Sequence, residues 1–455
     1  MEPGHAWQWR LTTVEAAGPR VTGAADRAAG YNQERHYAAA ERIRAARARL
    51  MFYIAGTFEV PGPLDLDALE AALLYFVRRH EVLRTRFHKS ASGDLTCTTA
   101  APDDVALARV DAGRLASADD TRTYLRHTFQ RVDTLSGPQT VLGAVVREDS
   151  ATVYFAFDHL VADIMSATIA VSDITAAYRQ FAHGRHPDSP PAGSYLRFNH
   201  DQRDRNAAVD ATDTRLEGWA GFRTRNGSFF PRFPLDLGVE PGRWYPPINV
   251  TNPLLDARQT DELEARCRTA GAGLFTAALA ALAITTSTEE EPDVCRALVV
   301  RNERGDGEYA DSVGWFVNTL PIEIPVPQRT HFADRLAQTR KAYGAARECA
   351  GVHYVRAWEL LAPRENNSTR YWPHPVNMFS YLDFRKAPGA EHHAPRKAKV
   401  HLGMSGIGGI LLWMFRNDTG LHLNSIHSET PEAERSNAEL TRRLGETLRD
   451  FVHHP

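Results

Sequence analysis

One stretch of the sequence, Thr152 to Ser166, most constrains how this chain can fold. It reads T-V-Y-F-A-F-D-H-L-V-A-D-I-M-S. Its first half is rich in β-branched and aromatic residues and contains no Gly or Pro, which predicts a buried strand. The strand leads into His159, Asp163 follows it, and apolar residues then recur at helical spacing. A strand that passes directly into an amphipathic helix indicates an α/β fold, with His159 and Asp163 between the two elements.

These two residues are the first candidates for a functional site. Imidazole titrates near neutral pH, so a His at the end of a strand can take a proton from a nucleophile and give it to a leaving group. A His and an Asp at this spacing also occur by chance in a chain of this length. The alternative interpretation is a strand-end His followed by an Asp that caps the helix.

Length and charge bound the class of protein. The 455 residues exceed one ordinary hydrophobic core, which predicts two domains or lobes. A net charge of −3 gives no indication of a nucleic-acid or anionic-membrane partner. The longest apolar run, Ala277 to Ile284, is too short to span a bilayer, and residues 1–20 lack the apolar segment of a signal peptide. We therefore expect a cytoplasmic protein that does not bind membranes.

The sequence contains none of the common cofactor or metal motifs. The four cysteines include no C-x-x-C pair, and the 19 histidines include no H-E-x-x-H. There is no phosphate-binding G-x-x-x-x-G-K-[ST] and no G-x-G-x-x-G that opens a helix. We predict no bound cofactor, no metal and no disulfide framework, in keeping with a reducing compartment.

The pattern of elements predicts four segments. Residues 1–30 are rich in Ala and Gly and poorly patterned, and we interpret them as a lead-in. Residues 31–185 form an N-terminal lobe that ends with a strand pair and a helix. Residues 186–250 begin with H-P-D-S-P-P-A-G-S and are predicted to be a linker and irregular segment. Residues 251–455 form a C-terminal lobe with the same ending, which indicates two similar α/β lobes.

Four stretches resemble, in order and spacing, the condensation-domain superfamily of nonribosomal peptide synthetases. They are Asn32–Arg35 (N-Q-E-R), Arg79–Phe87 (R-H-E-V-L-R-T-R-F), Asp158–Ser166, and Arg301-Asn302 followed by Val313–Pro321 (V-G-W-F-V-N-T-L-P). The third stretch resembles the active-site motif H-H-x-x-x-D-G-x-S. The D-F-G-W-G motif of plant-type acyltransferases is absent from the sequence, which argues against that related family.

The resemblance implies a fold and a set of partners. The fold is α/β, with two chloramphenicol-acetyltransferase-like lobes in a V-shaped pseudo-dimer and an active-site tunnel between them. An acyl- or peptidyl-carrier protein presents an acyl thioester on its phosphopantetheine arm, and no cofactor is bound. The acceptor is a small molecule or a second carrier-bound nucleophile.

The resemblance also implies roles for individual residues. His159 accepts the proton of the nucleophile or hydrogen-bonds the tetrahedral intermediate. Asp163 supports the site by pairing with an arginine from the second half of the chain, for which Arg301 is the candidate. From the sequence itself, we also expect Ser166 to cap or pack the start of the helix and to tune the site together with the two motif positions described below. Trp315 and Asn318 are candidates to line the tunnel, although a role in a strand and turn explains them equally well.

Two motif positions depart from the family pattern. Asp158 replaces the first motif His, and Ile164 replaces the motif Gly. Strand alternation places Asp158 and His159 on opposite faces, so the first motif His is not required at the reaction centre. Ile164 removes the space and backbone freedom that Gly provides. We therefore expect both residues to tune the site.

Three functions remain open at this point. The first is a free-standing condensation enzyme of natural-product biosynthesis that joins a carrier-bound acyl or aminoacyl group to an amine or alcohol; we expect it to be free-standing because the sequence carries no adenylation or carrier segment. The second is a scaffold that binds a carrier protein or recruits a tailoring enzyme, which Asp158 and Ile164 keep open and His159 argues against. The third is a coenzyme A-dependent acyltransferase of the same fold. Amide and ester formation are both open.

Overall fold

A computed structural model describes residues 2–13, 27–287, 293–327, 330–368 and 374–453. Its strands are β1 (Gly4–Thr13), β2 (Arg27–Ala28), β3 (Phe52–Pro61), β4 (Thr85–Lys89), β5 (Leu95–Thr99), β6 (Val105–Leu115), β7 (Thr140–Val146), β8 (Ser150–Asp158), β9 (Pro247–Asp256), β10 (Val294–Asn302), β11 (Val317–Pro325), β12 (Met378–Asp383), β13 (Lys399–Met404), β14 (Ile410–Asn417) and β15 (Gly420–Ser428).

The helices are interspersed among these strands along the chain. They are α1 (Tyr31–Ala45), α2 (Leu66–Arg79), α3 (Ala118–Phe129), α4 (Ile164–Phe181), α5 (Tyr195–Ala207), α6 (Glu217–Asn226), α7 (Ala257–Thr269), α8 (Leu274–Thr286), α9 (Phe332–Glu348), α10 (Tyr354–Leu361), α11 (Pro363–Ser368), α12 (Ala390–His393) and α13 (Pro431–His453). The predicted α/β class is confirmed.

Two compact units make up the structure, and each is assembled from separate segments of the chain. The first unit comprises Met1–Arg205, Glu303–Phe316 and Lys386–Ser405. The second unit comprises Asn206–Asn302, Val317–Arg385 and Gly406–Pro455. Each unit contains one six-stranded sheet packed against helices, as expected for two α/β lobes.

The first unit is organised around β8. Its main sheet has the order β13-β3-β8-β7-β1-β6, and every neighbouring pair is antiparallel. Phe155 and Phe157 pack into a core shared with α2 and α4, while Tyr154 points to the other face, towards Phe129 of α3. Because helices cover both faces, β8 reads as a nearly continuous apolar run. This burial fixes the strand that leads to His159.

The second unit has a mixed sheet. The strand order is β11-β10-β12-β14-β15-β9, and β12 runs parallel to both β10 and β14. Helices α7, α8 and α13 contribute Leu263, Leu279 and Leu444 to its core. The predicted strand and helix that close each lobe are present as β8 with α4 and β15 with α13.

The prediction of a poorly patterned lead-in over residues 1–30 is wrong for β1. This strand lies between β7 and β6 in the main sheet and pairs with both. Its sequence, G-H-A-W-Q-W-R-L-T-T, carries the alternation of a half-covered strand. The Ala- and Gly-rich residues that follow it dominate the composition of this region and hide that short pattern. Residues 14–26 lie outside the described part of the chain.

The predicted lobe boundaries also need correction. Residues 303–316 and 386–405 belong to the first unit, although the sequence places them within 251–455. The second of these segments contributes β13, which pairs antiparallel with β3. The predicted linker, residues 186–250, contains α5, α6 and the start of β9. Local pattern identifies a strand or helix but not its distant partner, so a contiguous division of the chain misses these exchanges.

Two further features bear on function. No single described helix is long and apolar enough to cross a membrane; α7 and α8 together have a suitable length and composition but meet at 100°. The apolar side chains of α8 lie in the core of the second unit. Within the described ranges, no group of three or more His, Cys, Asp or Glu side chains is arranged to hold a metal ion.

The side chain of Tyr154 on β8 packs closely over Gly143 of β7, and this contact gives a prediction about stability. A Cβ added to Gly143 of β7 would lie 2.1 Å from the Tyr154 ring and 2.6 Å from the Trp7 carbonyl oxygen. We expect Gly143→Ala to lower the free energy of unfolding by about 1–3 kcal/mol, measured by urea denaturation. Gly344 on α9 has nothing within 4 Å of an added Cβ. Gly344→Ala should instead raise stability by about 0.5–1 kcal/mol, and equal effects of the two substitutions would contradict this packing.

Candidate functional site

The loop between β8 and α4 carries the candidate catalytic residue, and its backbone is anchored on several sides. The His159 N–H donates to the Phe52 carbonyl at 2.9 Å. The buried Gln33 side chain of α1 donates from Nε2 to the Leu160 carbonyl at 2.8 Å. The predicted first motif, N-Q-E-R, therefore contributes a hydrogen bond that fixes this loop.

The imidazole of His159 is held in one tautomer. Its Nδ1 lies 2.7 Å from the carbonyl oxygen of Ala162. A carbonyl oxygen can only accept, so Nδ1 carries the hydrogen, and in the neutral ring the lone pair is on Nε2. Nε2 is consequently the atom that can accept a proton from a nucleophile.

Aromatic side chains surround this imidazole. Trp315 stacks on it with ring centroids 3.8 Å apart and an interplanar angle of 22°, and Phe52 meets it edge-on at 4.6 Å. His159 is half-buried between them. Burial, reinforced by the neighbouring His36, lowers the pKa of His159 to about 4. The ring is therefore neutral at neutral pH, and Nε2 is available as an acceptor.

Asp163 holds the end of the loop and the start of α4. It is the N-cap residue of that helix and accepts from the Ser166 N–H at 3.0 Å. The same buried carboxylate accepts from the Phe316 N–H at 3.1 Å and from a guanidinium. The supporting role predicted for Asp163 agrees with these contacts, since none of them leaves the carboxylate free to react.

The guanidinium belongs to Arg304, so the prediction of Arg301 as the partner is wrong. Nη1 and Nη2 of Arg304 lie 2.6 and 2.7 Å from the two oxygens of Asp163. Its Nε also donates to the Ser312 carbonyl at 3.0 Å. Arg301 lies within β10, opposite Asn318 of β11.

The reason for this difference is positional. The sequence R-N-E-R offers two arginines three residues apart, and motif spacing alone favours the first. Arg301 is fixed in the ladder of β10, whereas Arg304 follows the end of that strand, where the chain joins the first unit. An arginine just beyond a strand end and shortly before V-G-W-F is the signal that would have identified the right residue.

Ser166 completes this buried network. Its hydroxyl oxygen lies 2.9 Å from Asp163 Oδ1 and 3.0 Å from the Gly314 carbonyl, between which its single proton is shared. It also accepts from Arg304 Nη2 at 3.0 Å and from the Gly314 N–H at 3.2 Å. Ser166 thus fixes the helix start, as expected, and ties it to the segment that carries Trp315.

The remaining predicted site residues are placed as follows. Asp158 is fully buried at the end of β8, and its carboxylate accepts from the Leu160 N–H at 2.9 Å. Ile164 is the half-buried first residue of α4. Asn318 is buried in the second unit, where its side-chain oxygen accepts from the Thr319 and Tyr354 N–H groups. Its contacts are those of a strand residue that supports the start of α10.

Sequence reasoning missed His36. This residue lies on α1, three positions after Gln33, and is 1% exposed. Its ring lies 5.7 Å from the Trp315 ring and 6.2 Å from the His159 ring, measured between centroids. Residues three apart share a helix face, so the position of Gln33 in the first motif was a signal that His36 also faces the site.

The second motif, Arg79–Phe87, holds α4 in place through side-chain contacts. Arg79 and His80 both contact the carboxylate of Asp173 on α4, with His80 Nε2 at 2.7 Å. His80 Nδ1 accepts from the Val313 N–H at 3.3 Å. The motif therefore joins α4 to the segment that precedes Trp315, and its role is structural.

Comparison with known proteins places this arrangement in a family. A family model described as a condensation domain matches residues 32–396, so the chain belongs to the condensation-domain family. Acyltransferase PapA3 of Mycobacterium tuberculosis is 25% identical over 384 residues, which cover 83% of this chain and 79% of PapA3. Trehalose-2-sulfate acyltransferase PapA2 of Mycobacterium bovis is 26% identical over 335 residues, which cover 71% of this chain and 69% of PapA2. Together these matches show that the chain is an acyltransferase.

Solved structures share the fold. The structure of PapA2 acyl transferase matches with a TM-score of 0.87 at 21% identity, and the match covers 99% of this chain and 97% of the PapA2 chain. The first condensation domain of the calcium-dependent antibiotic synthetase matches with a TM-score of 0.70 at 14% identity, and the match covers 95% of this chain and 98% of that domain. The chloramphenicol-acetyltransferase-like fold class predicted from the motifs is confirmed.

The buried ion pair gives a prediction with an internal control. Arg304→Ala leaves the carboxylate of Asp163 buried without its cation, so we expect a loss of about 3–5 kcal/mol in the free energy of unfolding. Arg301→Ala should cost less than about 1 kcal/mol, because Arg301 is not the partner of Asp163. Urea denaturation of both variants measures the difference. A larger loss for Arg301→Ala than for Arg304→Ala would contradict the assignment.

Proposed function

We propose that this protein is a cytoplasmic enzyme of natural-product biosynthesis that forms esters. Its donor is an acyl thioester on the phosphopantetheine arm of an acyl- or peptidyl-carrier protein, and its acceptor is a hydroxyl group of a small molecule. One observation carries this proposal: the Nδ1 hydrogen of His159 is bound to the Ala162 carbonyl, which leaves Nε2 as a neutral acceptor.

The reaction follows from that orientation. The acceptor oxygen attacks the thioester carbonyl while its proton passes to Nε2 of His159. The new C–O bond forms, and the C–S bond breaks when the tetrahedral intermediate collapses. The proton on Nε2 then passes to the leaving thiolate, which departs as the free thiol of the arm. Atoms and charge balance with the two substrates and His159 alone.

An alcohol acceptor is favoured over an amine by this site. An amine whose pKa lies below the ambient pH needs little assistance, whereas an alcohol needs a base to remove its proton. The relatives also support a hydroxyl acceptor, because PapA2 is named a trehalose-2-sulfate acyltransferase. A sugar hydroxyl is therefore the first acceptor class to test.

The chain belongs to the condensation-domain family, and this supports a carrier-bound donor, because condensation domains work with carrier proteins. The test offers one acyl group on a loaded carrier protein and, separately, as its coenzyme A thioester, each with an alcohol and with an amine. Carrier-dependent ester formation is the expected result. Transfer from the coenzyme A thioester alone would show that the donor is coenzyme A and not a carrier protein. No transfer from either donor, combined with tight carrier binding, would favour the scaffold function.

Removal of the base gives the first kinetic prediction. We expect His159→Ala to lower kcat for ester formation by about 10²–10⁴-fold, the usual contribution of general-base catalysis. His401 is a suitable control, since it is also half-buried and burial lowers its pKa to about 4. It lies on β13 and contacts the Thr57 hydroxyl. His401→Ala should keep kcat within about twofold, and full turnover by His159→Ala would remove the proposed role.

The lowered pKa of His159 gives a second kinetic prediction. A His whose pKa is about 4 stays neutral at every higher pH, so its competent form is not lost on mild acidification. For an alcohol acceptor, kcat/KM should therefore be flat from about pH 5.5 to 7.5. An unperturbed His would instead give an acid limb near about pH 6.5. A measured pH profile with that limb would contradict the lowered pKa.

A further inference from the structure

The most unusual feature beside the site is the carboxylate of Asp158, which is fully buried and surrounded by donors. Its Oδ1 accepts from the Leu160 N–H at 2.9 Å, and its Oδ2 accepts from the Thr134 hydroxyl at 2.9 Å. His36 Nε2 lies 3.3 Å from Oδ1. A carboxylate in this position thus binds three groups that belong to three different parts of the first unit.

The hydrogen on His36 can be assigned from these contacts. Its Nε2 lies 3.3 Å from Asp158 Oδ1 and 3.1 Å from Thr134 Oγ1. The Thr134 hydroxyl donates its own proton to Asp158, so its oxygen is an acceptor towards His36. Both neighbours of Nε2 are therefore acceptors, and Nε2 carries a hydrogen. His36 thus donates from Nε2, whereas His159 donates from Nδ1.

This pair reaches His159 by two routes. Through the backbone, Asp158 holds the N–H of Leu160, the residue directly after His159. Through side chains, the His36 ring meets Trp315 at an interplanar angle of 81°, and Trp315 stacks on His159. The first route fixes the loop and the second fixes the ring that covers the imidazole.

We propose that His36 and Asp158 form a positioning dyad for acyl transfer, holding Trp315 and the loop so that Nε2 of His159 faces the acceptor. The dyad accounts for the departure from the family motif at position 158. A neutral imidazole there would offer one lone pair, whereas a carboxylate accepts from Leu160, Thr134 and His36 together. The proposal deepens the acyl-transfer function proposed above and rests on it.

A matched pair of substitutions tests the dyad in the full-length protein. The amide nitrogen of Gln can occupy the place of the imidazole Nε2, whereas that of Asn corresponds to Nδ1 and falls short. We expect His36→Asn to lower kcat about tenfold or more while KM for donor and acceptor stays within about twofold. His36→Gln should recover most of that kcat.

The second member of the pair is tested in the same assay. Asp158→Asn keeps Oδ1 for the Leu160 N–H and His36, but it replaces Oδ2 with a donor that faces the Thr134 hydroxyl. It also removes the negative charge that strengthens the hydrogen bond from His36, so kcat should fall as in His36→Asn. The kcat of the double variant should lie within about twofold of the kcat of either single variant, because both substitutions disable the same dyad. Multiplicative losses, or equal kcat for His36→Gln and His36→Asn, would overturn the dyad.

Hydrogen–deuterium exchange gives a readout that needs no acyl donor. Faster exchange of the Leu160 N–H in His36→Asn, but not in His36→Gln, is the result expected of the dyad. Unchanged exchange in both variants would overturn it. A wild-type protein that transfers from no donor, yet shows this exchange pattern, would contradict the proposed function and leave the dyad supported.

Discussion

The buried ion pair between Asp163 and Arg304 is the interaction on which the site depends. It joins the start of α4 to the segment 303–316, which the chain contributes to the first unit from a distant part of the sequence. Phe316 donates its N–H to the same carboxylate, and the Arg304 guanidinium lies over the Phe316 ring at 4.6 Å. Trp315 lies within this segment, so the pair supports the position from which Trp315 stacks on His159.

Such a pair specifies geometry more than it adds stability. Burying two charges costs free energy that their attraction only partly offsets, and removing one partner leaves the other uncompensated. Here the remaining donors and acceptors are satisfied by Ser166, Ser312 and Gly314. The network therefore permits one arrangement of the loop, and that arrangement determines the direction of the His159 lone pair.

The same burial decides how His159 can act. A low-dielectric, aromatic environment disfavours the imidazolium and lowers the pKa of His159 to about 4. The ring is a weaker base than an exposed His but is always in its accepting form at neutral pH. The thioester donor that we propose is an activated acyl group, so a positioned weak base can suffice where orientation supplies much of the barrier reduction.

How much of this follows from sequence depends on the range of the interaction. The strand β8, the helix α4 and the cap at Asp163 are set by neighbours within the same stretch. The strand and the helix were predicted, and the cap was the alternative interpretation of Asp163. The choice of Arg304 over Arg301, the place of β13 beside β3 and the pairing of β1 depend on where distant segments meet. His36 was missed although its spacing from Gln33 indicates the helix face it shares, because its partner Asp158 lies on another element and the helix pattern does not reveal that pairing.

The most direct test of this account observes the ring nitrogens of His159. Long-range ¹H–¹⁵N correlation spectra of ¹⁵N-histidine-labelled protein distinguish the two neutral tautomers from the imidazolium, and His159→Ala assigns the signal. At neutral pH we expect a neutral ring with hydrogen on Nδ1 and none on Nε2. A hydrogen on Nε2, in either the other tautomer or the cation, would contradict it.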